Sequence, residues 1–320
     1  MPIYRGSNTN REAFYRGNVK SYGRIYVGDR LVWQKQSEDH DSFIFEINVS
    51  ANESFTIPTY NMSGYNYSIN WGNGSPLAYC TTWDDVNSTY SYAEAGTYLI
   101  QIKGSFPRIY TAGHHNLAYK ITRVLQWGNV GFQSFNHGFY GCGNLQSLPD
   151  GPITGAEDVT DFSDCFFYNT ELASIPAGLF DYTPNVLDFS GCFQHDDKIT
   201  SIPAGLFDYT PNVTNFWACF ANTSNLTSIP AGLFDYTPNV THFKACFRFT
   251  PNLTSIPAGL FNNNPNVTDF SYCFYDCTSL SGTTPSALWS RNPAPNGYGC
   301  FYNCTGLSDY LSIPFMWKVA

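Results

Sequence analysis

Apolar positions along this 320-residue chain follow two different rhythms. Between residues 40 and 110 they alternate, as Phe43, Phe45, Ile47 and Val49, then Tyr65, Tyr67, Ile69 and Trp71, then Tyr98, Ile100 and Ile102. Runs of period two, broken at Gly72-Asn73-Gly74 and Gly96, predict a small antiparallel β-sandwich, because alternate side chains of a strand face opposite sides of its sheet. Beyond residue 120 the period lengthens to 27. The phrase Ser-Ile-Pro-Ala-Gly-Leu-Phe recurs at 174–180, 201–207, 228–234 and 255–261. Four further columns keep the step: Val159 to Val267, Phe162 to Phe270, Leu145 to Leu307 (with Ile199), and the cysteines Cys165, Cys192, Cys219, Cys246, Cys273 and Cys300, each followed by Phe. A unit this short cannot bury its own apolar side, so stacking of like on like predicts a solenoid of about seven 27-residue coils, weaker at both ends.

Inside a coil, Val267, Phe270, Cys273, Phe274 and Cys277 fall at i, i+3, i+6, i+7 and i+10, which predicts one face of a short helix. Leu-x-x-Ile-Pro then predicts a short strand stopped by proline, and Ala-Gly-Leu-Phe a tight turn. The expected fold class is mostly β with short helices. It divides into an arm (1–36), a sandwich (37–110) and a solenoid (111–320).

Composition and charge narrow the partners. Hydrophobic residues make up 43% of the chain and aromatics 18%, ample for a core and incompatible with a disordered chain. No apolar run approaches twenty residues, so no membrane span is expected. The opening Met1-Pro-Ile-Tyr-Arg-Gly lacks the apolar stretch of an export signal, so none is expected there. The formal charge of −9 is uneven: residues 1–36 carry +5 through Arg5, Arg11, Arg16, Lys20, Arg24, Arg30 and Lys35, leaving −14 on the rest. An acidic body repels nucleic acid, which is therefore not an expected partner. The arm is too short for a core. It repeats Tyr4-Arg5-Gly6 as Tyr15-Arg16-Gly17, and Ile25 to Trp33 predicts a hairpin turning at Gly28-Asp29. A lone hairpin is marginal in water, so the arm is expected to dock on a partner surface through Tyr4, Arg5, Tyr15, Arg16, Tyr26, Arg30 and Trp33.

Three resemblances follow from these residues. The pattern Cys-Phe-x-x-Cys/Thr-x-x-Leu-x-x-Ile-Pro, with the lead-in Val124-Leu-Gln-Trp-Gly-Asn-Val130, resembles the BspA-like proteins of leucine-rich-repeat type over roughly 120–310. That family implies surface adhesion to protein or glycan and no catalytic residues; its Cys column often holds Ala or Met instead. The motif Trp71-Gly-Asn-Gly74 followed by Tyr92-Ala-Glu-Ala-Gly-Thr-Tyr98 resembles the PKD fold, an Ig-like spacer or adhesive module, with Asn73 standing where that family usually has Asp. The Tyr26-Val-Gly…Leu31-Val-Trp33 segment resembles N-terminal segments of virion proteins from crAss-like phages of gut Bacteroidetes.

Candidate chemistry reduces to a few groups. Six of the ten cysteines share one column, and Cys142, Cys277 and Cys304 share another. Packing as small buried hydrophobes is the expected role, ahead of disulfides between coils or a four-thiolate metal site, so no cofactor is expected. Asp181, Asp208 and Asp235 precede Tyr-Thr-Pro-Asn and are expected to cap the next helix rather than bind Ca²⁺. His114-His115 is expected to be an exposed loop pair. The Asn-x-Ser/Thr sequons follow from the repeat. With no acidic pair, nucleophile motif or phosphate loop, no enzyme activity is expected.

Surface positions are left to carry function. The columns beside Cys-Phe vary while the frame stays fixed, as in repeat proteins that build binding faces. Tyr182, Tyr209, Tyr236, Trp217, Arg248 and Tyr272 are the candidate recognition residues, the Tyr ladder being suited to sugar rings unless it merely covers neighbouring coils. Two readings compete: a virion protein (head fibre or tail adhesin) anchored by its arm at the capsid or tail surface, and a BspA-type adhesin on the bacterial cell surface. Expected partners are other virion proteins, further copies of the chain, and a host protein or glycan.

Overall fold

The computed structural model describes residues 39–285 and 288–319, and before them the backbone course of two strands. Those strands, β1 (Arg24–Val27) and β2 (Arg30–Gln34), pair antiparallel with a bulge at Ile25/Tyr26. Tyr4, Arg5, Tyr15 and Arg16 lie outside the described residues, as do the side chains of Tyr26, Arg30 and Trp33.

The alternating segment forms two antiparallel sheets. β3 (Phe43–Val49), β5 (Asn66–Asn70), β6 (Ala78–Cys80), β8 (Gly96–Ser105) and β9 (Ile121–Gln126) make one, in the order β6-β5-β8-β3-β9. β4 (Glu53–Thr56) and β7 (Thr89–Tyr92) make the other. Phe45, Ile47, Ile69, Ile100 and Ile102 are fully buried from the larger sheet and Phe55 from the smaller, with the Phe45 and Phe55 rings 6.2 Å apart. The Tyr92 hydroxyl donates to the Trp71 carbonyl at 3.0 Å, tying β7 to the end of β5. Regular structure is mostly strand, with few short helices. Among the described residues these are α1 (His115–Ala118) and single 3₁₀ turns at Val86–Ser88, Tyr310–Ser312 and Phe315–Trp317. No helix of the described residues is long and apolar enough to cross a membrane.

From residue 121 onward the 27-residue units stack in parallel register. Isolated parallel bridges join Asp161, Asp188, Asn215, His242, Asp269 and Asn296 in succession. The Phe amide of successive Cys-Phe pairs donates to the Cys carbonyl of the next unit: Phe193 to Cys219, Phe220 to Cys246 and Phe247 to Cys273, at 2.8–2.9 Å. Three ladders of phenylalanine rings run through the interior. Phe139, Phe166, Phe193, Phe220, Phe247, Phe274 and Phe301 stack at 5.4–5.6 Å with nearly parallel planes. Phe135 to Phe270 and Phe180 to Phe261 form the other two. Offset parallel rings at this distance add about 0.5–1.5 kcal/mol per pair beyond burial.

The short helix expected over Val267–Cys277 and its counterparts is absent. Phe216, Ala218, Phe220 and Asn222 donate their amides to His242, Lys244, Cys246 and Arg248 of the next unit, so those N–H groups are not free for an i−4 ladder. Cys219 and Ala221 instead close three-residue turns onto Phe216 and Ala218. Within the segment expected to be helical, two positions of every unit, such as Ala218 (φ 53°) and Asn222 (φ 58°), sit in the left-handed region that an α-helix excludes.

β9 crosses the boundary expected at residue 110. It pairs antiparallel with β3 on one side and bridges parallel from Arg123 to Ser147 on the other, so the sheet's last strand is also the first rung of the stack. Gly128 (φ +72°) permits this junction, because a Cβ there would fall 2.3 Å from the Ser42 carbonyl carbon. One continuous apolar core runs from Phe43 through Trp127 and Phe135 to Trp317. At the far end Trp317 closes the last unit, stacked on Phe301 and set against Trp289. It lies so close over Gly297 that no side chain fits beneath it.

Phe216, Cys219 and Phe220 are fully buried, whereas their neighbour Trp217 is 49% exposed. Phe216→Ala is expected to cost about 3–5 kcal/mol, because a ring is lost from the middle of a ladder. Trp217→Ala should cost below about 1 kcal/mol. Thermal melts of the two variants check this, and equal losses would contradict the inside–outside assignment.

Candidate functional site

All ten cysteines are free and buried. Cys165, Cys192, Cys219, Cys246, Cys273 and Cys300 form the interior column beside the Phe139–Phe301 ladder. Burial raises their thiol pKa, and it holds Cys142 and Cys277 up at about 12. Thiols so held stay protonated at neutral pH and are poor nucleophiles and ligands. The second column carries more than its three cysteines. In order it reads Cys142, Asn169, Asp196, Thr223, Thr250, Cys277 and Cys304, all buried. Thr223 Oγ1, Cys277 Sγ and Cys304 Sγ donate to the carbonyls of Phe193, Phe247 and Phe274 in the preceding unit, at 2.9–3.1 Å.

Asp196 is the exception in that column. Its Oδ1 accepts from the Asn169 amide N–H at 2.8 Å, while its buried Oδ2 and the Asn169 side-chain amide have no partner. Burial drives its pKa well above the usual carboxylate range, outweighing the Asn169 bond. Protonated, it presents the O–H that Thr223 presents one unit on. Asp196 is hidden in the sequence, because Asp196-Asp197-Lys198 looks like a solvated charge cluster until it is aligned on the 27-residue register.

Asp181, Asp208 and Asp235 do not cap helices, since no helix follows them, and among the described residues their carboxylates accept no hydrogen bond. Partial burial, and then the next Asp along the ladder, raise the pKa of Asp181 and Asp208. Tyr182, Tyr209 and Tyr236 are half exposed or more, stand beside those carboxylates and enter no ring contact among the described residues. His114 and His115 are exposed at the start of α1. The sequons form rails along the stack. Asn212 and Asn239 donate Nδ2 to the carbonyls of Pro184 and Pro211, and Thr214 and Thr241 donate Oγ1 to those of Leu187 and Thr214, in each case one unit back.

The variable columns make a lateral face distinct from the Tyr ladder. Arg248 lies over three rings there, 4.5 Å from Phe249, 5.6 Å from Tyr272 and 5.1 Å from Tyr275. Trp217 is 49% exposed and makes no ring contact among the described residues. Ala218, Ala221 and Ala245 form a small apolar floor with Tyr272 packed against it. Beside this floor runs a groove of about 570 Å³. One row along it is His195, Asn222, Phe249 and Asp276, and the other is Asp197, Ser224, Pro251 and Thr278, each row stepping by 27 residues. The structure thus brings Arg248 and Tyr272 together beside this groove and leaves Tyr182, Tyr209 and Tyr236 apart from them.

No protein-family model and no curated protein sequence matches the chain.

Asp196→Thr, which restores the residue of the next two units, is expected to stabilise the protein at pH 7 by about 1–3 kcal/mol. The sign follows from linkage. A folded-state pKa raised above the unfolded value of about 3.9 favours the protonated fold, so the wild type is fully stable below about pH 4 and loses stability as pH rises. Melts of both proteins between pH 4 and 8 should converge at the acid end and separate towards neutrality. A constant gap would contradict a protonated Asp196.

Proposed function

We propose that this chain is a non-enzymatic virion structural protein, a head fibre or tail-associated adhesin. In this reading residues 1–36 dock on other virion proteins. An Ig-like, PKD-type sandwich and a leucine-rich-repeat-like solenoid of about seven coils are held outward for contact with a host protein or glycan. The observation that carries the reading is the division of labour within each 27-residue unit. Interior columns of Phe, Cys, Leu and Val keep their identity from unit to unit, whereas the lateral positions run through Ser163, Trp217 and Lys244, and through Phe167, Gln194, Arg248 and Tyr275, with the smaller Ser190, Ser271 and Ala221 buried at the same positions. A fixed frame with a changing exterior suits recognition.

The same residues argue against chemistry at this surface. The thiols are buried and protonated, and the repeated carboxylates step along the stack one unit apart instead of facing each other across a cleft. The charge division, +5 on residues 1–36 against −14 on the remainder, supports docking of the arm on an acidic protein surface.

Mass spectrometry of purified particles tests the assignment, and recovery of the chain only in a bacterial envelope fraction would replace it with a cell-surface adhesin. Deleting residues 1–36 is expected to leave a folded body that no longer joins the particle. Full occupancy by the truncated chain would contradict the docking role.

A further inference from the structure

We propose that the lateral groove binds an extended, neutral oligosaccharide lying along the stack; this deepens the display reading by naming a ligand class and its site. Phe249 and Asp276 stand at one end of the groove's first row and His195 at the other, with Tyr168 next beyond it and 44% exposed. Rings at the two ends bracket a low middle formed by Asn222 and Ser224.

Polar capacity in that middle is unspent. The Asn222 side-chain amide and the Thr278 hydroxyl make no hydrogen bond among the described residues. Asp197 and Asp276 each use one oxygen, Oδ1, which accepts from Ser224 and Asn303 respectively, and leave the other free. Burial keeps the His195 pKa below the usual imidazole range, so that ring is neutral at physiological pH. In the first row the backbone N–H groups are spent: the amides of His195, Asn222, Phe249 and Asp276 all donate to the next unit at 2.7–3.0 Å, so that row offers a peptide no free N–H for strand addition. Aromatic faces plus free hydroxyl, amide and carboxylate groups match a ligand whose rings have apolar faces and hydroxyl rims. Two free carboxylate oxygens repel anionic chains, nucleic acid and uronates included. The rungs repeat at about 5 Å, similar to the advance per sugar of an extended β-linked chain.

The backbone gives an independent sign. The row occupies a left-handed position in every unit, from Gly141 (φ 70°) through Asn222 to Asn303 (φ 61°), where Gly and Asn sit at little cost. Tyr168 (φ 61°) and Phe249 (φ 56°) hold bulky aromatics there at a penalty that the fold does not require. Strained rings retained at the ends of a groove point to use of the rings.

Calorimetric titration of the full chain with cellohexaose, chitohexaose and hexagalacturonate tests the site. A neutral chain should bind saturably and the uronate should not. Phe249→Gly places the residue best suited to that φ, so its melting temperature should stay at or above wild type within a few degrees while affinity falls at least about tenfold. Phe249→Tyr should restore binding, and Tyr209→Ala should leave it unchanged. No binding of either neutral chain, equal binding of the uronate, or a Phe249→Gly variant that binds normally or melts far lower would each overturn the proposal. Such a result leaves incorporation into particles untouched, and absence from particles leaves the groove's chemistry intact, so the two readings fail separately.

Discussion

Each 27-residue unit depends on its neighbour for hydrogen bonds it cannot make alone. Because Phe216, Ala218, Phe220 and Asn222 give their amides to the following unit, a register slip of even one residue would orphan all four. That constraint explains the rest. It forces equivalent residues into line, which sets phenylalanine on phenylalanine and cysteine on cysteine. It consumes the backbone in short turns, leaving room for at least two left-handed residues per unit. It also leaves the lateral side chains beside each Cys-Phe pair able to change from unit to unit, while the sequon side chains stay bound into their rails.

A stack of this kind has two raw ends, and each is covered differently. At the start, β9 belongs at once to the antiparallel sheet and to the first rung, while Phe43, Trp127 and Phe132 fill the seam. Arg108 reinforces it, reaching from over the Tyr60 ring to the Asn136 carbonyl. At the finish, Trp317 closes the ring ladders and Gly297 makes room for it. The two antiparallel sheets therefore also cap the stack. A lateral face whose side chains change from unit to unit, set between two sealed ends, is the physical basis for reading it as a recognition surface.

Much of this was legible in the sequence because burial leaves a periodic trace. The Phe and Leu columns follow from spacing alone, whereas the opposite fates of Phe216 and Trp217 were expected from a helical face and are produced by turns. The helix did not materialise, because tight turns containing left-handed residues produce the same three- and four-residue spacing as a helical face. Only the fate of the amides separates the two, and side-chain patterns do not record it. β9 escaped notice because Ile121 and Val124 are too few to show alternation. Asp196 was hidden by its charged neighbours, and the groove by lying between two columns rather than within one. The Asp ladder was assigned a capping role that only a following helix would have allowed.

Hydrogen–deuterium exchange of the free protein tests most directly whether a single core supports this exterior. The account predicts one protected block running from β3 and β8 through β9 into the amides of Phe193, Phe220 and Phe247, with no break between residues 106 and 132. Fast exchange confined to that junction, with protection on both sides, would show a sandwich and a stack that fold independently, and would contradict it.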